Sequence, residues 1–159
     1  PVWVSDIYTI DDALDMISLL GTLFKKEEKA FGIITNIRNQ YASFTEFMAQ
    51  KQTRKVAYLI WQKPFMVAGK HTFINDLLQI NKFDNILKDP TSRYPEIDIE
   101  DLKQADLILL SSEPFPFSKA HVKALEQTTQ KQVLLVDGAY FSWYGSKLQD
   151  AFNYFKTLH

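Results

Sequence analysis

Three histidines, one Ser-Ser-Glu cluster and two lysine-bearing glycine fragments are the residues here whose types could do chemistry. His71 sits near a helix start and His121 inside a helix, where each reads as a surface or packing histidine. His159 is the last residue given. Ser111-Ser112-Glu113 offers a hydroxyl and a carboxylate, but no histidine lies near it in sequence to act as a base. Gly69-Lys70 lacks the upstream glycine of a phosphate loop, and Gly145-Ser146-Lys147 is an isolated fragment. No Gly-x-Ser-x-Gly elbow occurs, so a hydrolase triad has no anchor. The chain contains no cysteine, which removes disulfides, thiolate nucleophiles and Cys-based metal sites together. Asp11, Asp12, Asp15, Glu27 and Glu28 read as solvated helix faces. Asp98, Glu100 and Asp101 complement the N-terminal dipole of a short helix. No catalytic residue, resident metal or cofactor is assigned.

The bulk numbers point the same way. Lys and Arg total 18 against 19 Asp and Glu, so no broad basic field argues for nucleic acid or anionic lipid. At 159 residues and 46% hydrophobic content, the chain is long enough for one domain with a real core. Twelve Phe, seven Tyr and three Trp can supply either that core or a stacking pocket. The chain opens Pro-Val-Trp-Val, without an initiator Met or signal peptide, and reads as an internal or processed piece.

The elements expected to position these residues alternate between the two kinds. Val2-Trp3-Val4 reads as the end of a strand. Thr9 with Asp12 has capping-box spacing and opens a helix through Leu20-Gly21. Ala30, Ile34, Ile37, Tyr41, Phe44 and Met48 form a helical stripe, predicting a helix of roughly 36 Å from about Glu28 to Lys51. That length suits either a link between two bodies or a helix lying across one sheet. Val56 to Trp61 is an apolar run suited to a strand buried on both faces. Further on, the pattern predicts a loop over 62–69, a helix from about Thr72 to Ile80 and a short strand at Asn85-Ile86-Leu87. The segment Lys88 to Pro95 is the most loop-like in the chain. A short helix follows over Ile99 to Gln104, then a strand at Leu107 to Leu110. Ser118 caps a helix to about Gln127, Val133 to Val136 is a strand, and Ser146 to about Thr157 is a closing helix. Such alternation predicts an α/β fold, a parallel sheet with helices on both faces.

Ligands of parallel sheets bind in the loops after the strands. Three such loops carry aromatic groups where loops are ordinarily polar: Pro64-Phe65-Met66, Ser111 to Phe117, and the run after Asp137-Gly138 with Tyr140, Phe141, Trp143 and Tyr144. Each alone could fold back on the core. Together on one sheet edge they predict an aromatic-lined mouth, with Trp143 facing it, Phe141 in the core, and Tyr140 and Tyr144 open.

The order Val-Ala-Tyr-Leu-Ile-Trp, Pro-Phe, Ala-Gly-Lys and Asn-Asp-Leu-Leu resembles the C-terminal lobe of ABC-importer substrate-binding proteins with a helical backbone. So does the later series Arg93-Tyr94-Pro95-Glu96-Ile97, Glu100-Asp101-Leu102 and Ala105 to Ser111. This is the vitamin B12-binding and iron–siderophore-binding family. The resemblance covers nearly all of this chain, yet only about the C-terminal 60% of a typical member. It implies residues 1–54 as the end of the N-terminal lobe with linking helices, and 55–159 as the C-terminal α/β lobe. It also implies a long interlobe helix, a periplasmic or membrane-anchored location, and no enzymatic activity.

Several roles follow from the resemblance alone. Trp61, Phe65, Tyr94 and Trp143 fall where the family faces its ligand, a small-molecule metal chelate. Flat aromatic walls favour cobalamin or another corrinoid, with ferric siderophore or haem as the alternative. Glu100 matches the surface carboxylate that docks on permease arginines, with Glu96 and Asp101 beside it. The chain departs from the family at Ala139, where an acidic or polar residue is usual, and at Lys147, where Arg is usual. The partners implied are the chelate and an ABC permease, not nucleic acid, and the lobe alone is expected to self-associate. An α/β enzyme-like domain and a pure docking module are the competing classes.

Overall fold

The computed structural model describes residues 2–87 and 92–159. Two helices come first, α1 (Ile10–Leu23) and α2 (Glu27–Met48). Thr9 caps α1: its hydroxyl accepts from the Asp12 N–H, while the Asp12 carboxylate accepts from the Thr9 N–H at 2.9 Å. Orphan donors of the first turn are thereby satisfied. On α2 the expected stripe is inward, with Ala30, Ile37, Phe44 and Met48 buried and Ile34 and Tyr41 packed at its margin.

The sheet follows. Its strands are β1 (Arg54–Trp61), β2 (Met66–Val67), β3 (Phe83–Asn85), β4 (Leu107–Ser111) and β5 (Gln132–Val136). Interleaved helices are α3 (Phe73–Ile80), α4 (Ile99–Leu102), α5 (Lys119–Thr129), α6 (Ala139–Ser142) and α7 (Leu148–Lys156). β1, β3, β4 and β5 are parallel; β4 lies between β1 and β5, in register Val56↔Leu107 and Leu107↔Gln132. The other edge of β1 is shared. β3 pairs with its start and the antiparallel β2 with its end.

Side-chain alternation splits the core in two. Val56, Tyr58, Leu107 and Leu109 point to the face covered by α1, α2, α3 and α7. Ala57, Leu59, Ile108 and Leu110 point to the face covered by α4 and α5. β4 is therefore buried at every residue, as a strand covered on both sides must be. Aromatic packing closes the first face, where Phe44 lies within 6.0 Å of both Phe152 and Phe155.

Four expectations need correcting. Val2-Trp3-Val4 forms no strand: no described strand lies beside it to complete a ladder, and Val2 and Val4 are exposed. The loop expected over 62–69 contains β2, too short to show periodicity. The third strand lies at Phe83–Asn85 rather than Asn85-Ile86-Leu87, because Phe83, Asp84 and Asn85 are the residues that pair with β1, and the Leu87 N–H is taken by the Asn85 side chain. It donates to the Ala68 carbonyl and to the Asn75 amide oxygen. The run after Gly138 holds α6, unanticipated in an aromatic-rich segment. In the loop-like segment Lys88 to Pro95, the first four residues lie outside the described residues. The division between residues 54 and 55 falls just inside β1.

Candidate functional site

The chain leaves β1 through α3 on one face and leaves β4 through α5 on the other. Neighbouring parallel strands whose connections diverge in this way open a crevice at their carboxyl ends. A cleft of about 410 Å³ lies there. Ile60 and Trp61 from β1, Met66 from β2 and Ile74 from α3 line it, with Tyr94, Pro114 and Ser142. This size is in the range of small-molecule pockets, and its wall is apolar apart from the tyrosine and serine hydroxyls.

Two close backbone approaches build the rim. A Cβ on Gly69 would come within 2.4 Å of the Ser92 carbonyl, and the Gly69 N–H donates to the Arg93 carbonyl at 2.7 Å. Glycine thus lets the segment carrying Tyr94 lie against the turn before α3. A Cβ on Gly138 would come within 2.3 Å of Ser111 Oγ, so the turn after β5 presses on the loop after β4. The Gly138 N–H also donates to Ser112 Oγ at 3.0 Å.

Four ligand-facing side chains were expected from sequence, and the cleft takes two of them in its wall. Trp61 is 41% exposed and stands edge-on to Phe115, centroids 5.5 Å apart. Tyr94 is 40% exposed, with the Arg93 guanidinium 6.0 Å from its ring. Arg93 also pairs with Asp6 at 3.3 Å. Phe65 is half-buried against the core on the α4 and α5 face, among Val67, Ile97 and their neighbours. Trp143 is 62% exposed beside the cleft, in a shallow pocket with Met16 and Tyr144. Its indole N–H donates to Glu113 Oε1 at 2.9 Å.

The other rings after Gly138 are structural. Phe141 is fully buried between Tyr58 and Phe155. Tyr140 stacks on Tyr154 at 4.5 Å, and Tyr144 stands edge-on to Phe73. Met66, Pro114 and Ser142 fall in the three loops expected to form a mouth, though no role was assigned to them individually; Ile74 was not singled out. Ile74 sits inside α3, where its apolar character reads as ordinary helix packing.

Electrostatics show little sign of tuning for catalysis. Burial pushes the Tyr58 hydroxyl well above its ordinary range. Burial also raises the Asp76 carboxyl, although the Ile10 N–H donating to it opposes the shift. That bond pins the start of α1 to α3. The histidines are scattered: His121 Nδ1 accepts from the Ser118 N–H, and His159 stacks on Phe83. Ser111 is fully buried, its hydroxyl engaged by Tyr58 and the Glu113 backbone. Among the described residues, no three of His, Asp and Glu gather into a set that could hold a metal ion. Among them also, no helix is long and apolar enough to cross a membrane.

The expected docking carboxylates lie on the surface. Glu100, on α4, pairs with Lys103 at 2.7 Å and its side chain is 74% exposed. Glu96 is also exposed, and its backbone bridges to Met66.

Solved structures share this architecture. An iron-binding (periplasmic solute-binding) protein, so described as a possibility, from Staphylococcus epidermidis superposes with a TM-score of 0.79 at 20% identity. The match covers 95% of this chain and 62% of that one. The periplasmic vitamin B12-binding protein of Vibrio cholerae gives 0.75 at 19%, over 98% and 64%. A periplasmic heme-binding protein from Roseiflexus gives 0.74 at 16%, over 94% and 64%. This chain thus spans less than two thirds of each, and at these identities the likeness establishes the fold. No curated protein matches the chain in sequence. The model of one family, periplasmic binding protein, matches residues 3–139, from the segment before α1 to the start of α6. The chain belongs to the periplasmic binding protein family.

Proposed function

We propose that this chain supplies one lobe and the linking helices of a substrate-binding protein of an ABC importer. It captures a metal chelate and passes it to a membrane permease. The observation that carries this reading is the apolar cleft at the ends of β1 and β4, with Trp61 and Tyr94 in its wall. A flat π-face is desolvated well by such rings, which favours cobalamin or another corrinoid. Among structural neighbours, one is described as binding vitamin B12 and another as binding heme, and both support a chelate of that shape. Haem and ferric siderophores are the alternatives within the same function.

In this reading the division near residue 54 separates linking helices from the lobe, and α2 is the stiff spacer. Its 22 residues span about 33 Å. Capture takes place outside the cytoplasm, in the periplasm or on the outer membrane face, and involves no catalysis. Glu100, with Glu96 nearby, meets permease arginines through charge-assisted pairs. Absorbance and Trp-quenching titrations with cyanocobalamin and haemin test the reading on the intact protein. Saturable binding of one is expected; no response to either contradicts it.

A further inference from the structure

We infer that Glu113, tethered by Trp143, reads the edge of the ligand that the cleft captures. It selects a chelate whose edge donates hydrogen bonds or carries positive charge, over one edged with carboxylates. The inference rests on the capture function proposed above.

One bond holds the carboxylate, and further contacts hold the backbone and stem that carry it. Trp143 Nε1 donates to Glu113 Oε1 at 2.9 Å, across 30 residues of sequence. The Ser111 hydroxyl donates to the Glu113 carbonyl and accepts from its N–H at 3.4 Å. Gly138 packs so closely that a Cβ there would stand 2.6 Å from Glu113 Cγ. A side chain fixed this way is preorganised, and little freedom remains to be lost on binding.

It is also unspent. Oε2 accepts no hydrogen bond from the described residues, and no Lys or Arg among them pairs with Glu113. A carboxylate offers about four acceptor sites, and the tryptophan takes one. Arg93 is engaged by Asp6 and Lys103 by Glu100, so neither neutralises it. Pro114 and Ser142, next in the chain to the two partners, both line the cleft.

The division of labour follows. Trp61 and Tyr94 meet the flat face of a ligand without regard to charge. Glu113 stands at the side, where a ligand carboxylate would meet a like charge and an amide or ammonium would find an acceptor. Trp143 is then a positioning residue, acting through Glu113 rather than by stacking.

Three probes separate these chemistries: cyanocobalamin with its neutral carboxamide edge, ferrioxamine B with an ammonium, and haemin with two propionates. Glu113→Gln keeps an oxygen for the indole N–H but removes the charge. In the intact protein this variant is expected to bind cyanocobalamin or ferrioxamine B about tenfold more weakly, the scale of one charged hydrogen bond. Haemin binding is expected to stay level or tighten. Trp143→Phe, which keeps a ring and loses the donor, is expected to narrow the preference in the same direction. Equal affinities of native protein and Glu113→Gln for every probe that binds would overturn this inference while leaving capture intact. So would weaker haemin binding in the variant. Failure of the native protein to bind any probe would instead contradict the capture reading, and this inference with it.

Discussion

Tyr58 and Ser111 hydrogen-bond at 3.2 Å between neighbouring parallel strands, both side chains wholly removed from solvent. The pair ties β1 to β4 beneath the cleft, and Ser111 passes the link on to the Glu113 backbone. Ser111→Ala leaves the Tyr58 hydroxyl buried without its partner, at an expected cost of about 1–3 kcal/mol. Tyr58→Phe leaves Ser111 its bond to Glu113. The double variant is therefore expected to lose less stability than the two singles summed, as read by urea unfolding. Strict additivity would show that the bond contributes nothing.

Phe65 packs against the second core while Trp61 and Tyr94 line the cleft, so the three should separate in their effects. Phe65→Ala is expected to lower stability by about 1–2 kcal/mol, less than the 3–5 kcal/mol of a fully buried Phe. Its ligand affinity should match that of the native protein. A stable Phe65→Ala variant with weakened binding would place that ring in the cleft instead.

Much of this architecture was legible because its periodicities are long or its signals local. The Thr9–Asp12 spacing marked the start of α1, and the stripe from Ala30 to Met48 marked α2. The apolar runs at Val56, Leu107 and Val133 marked strands buried by helices. What escaped were short elements set by pairing rather than by any periodicity of their own. β2 exists only because Met66 and Val67 find the end of β1, and β3 lies where Phe83 to Asn85 find its start. Trp61 and Tyr94, expected from the family resemblance to face a ligand, lie in the wall of one cleft; Trp61 carries a signal of its own in its place at a strand end, and Tyr94 carries none. The Glu113–Trp143 bond was invisible, because Ser111-Ser112-Glu113 showed a carboxylate with nothing nearby to orient it.

Glu100 stands on the surface with Lys103 as its one ion-pair partner among the described residues, and that exposed pair is too well solvated to matter for folding. Glu100→Arg is expected to weaken association with the permease in proteoliposomes by about tenfold or more, because a buried charge pair becomes a repulsion. Ligand affinity and melting temperature should stay unchanged. Loss of ligand affinity with intact docking would remove Glu100 from the permease interface.

Burial, aided by Arg54 and Lys51, pushes His159 down to about 4 from an ordinary value near 6.5. Between those values the unfolded chain binds a proton that the folded chain refuses. Stability is thus fully present above about pH 6.5 and declines as pH falls toward 4. Asp12, held low by the Tyr8 N–H and the Thr9 hydroxyl, adds a loss only below about 3.8. Asp76, raised by burial, acts in the opposite sense. Melting curves at pH 7 and 4.5 should therefore show a smaller drop for His159→Gln than for the native protein. Equal drops would mean that His159 is solvated in the folded chain.

In the proposed function, Trp61 and Tyr94 stand in the wall of the cleft that captures a flat metal chelate. Isothermal titration of cyanocobalamin and of haemin into the intact protein and into the Trp61→Ala/Tyr94→Ala double variant measures that capture. Each ring is expected to be worth about 1–3 kcal/mol of stacking and desolvation. The double variant should therefore bind at least about thirtyfold more weakly than the native protein while keeping its fold by circular dichroism. Equal affinity of both proteins for whichever chelate binds, or no binding of either chelate by the native protein, would contradict it.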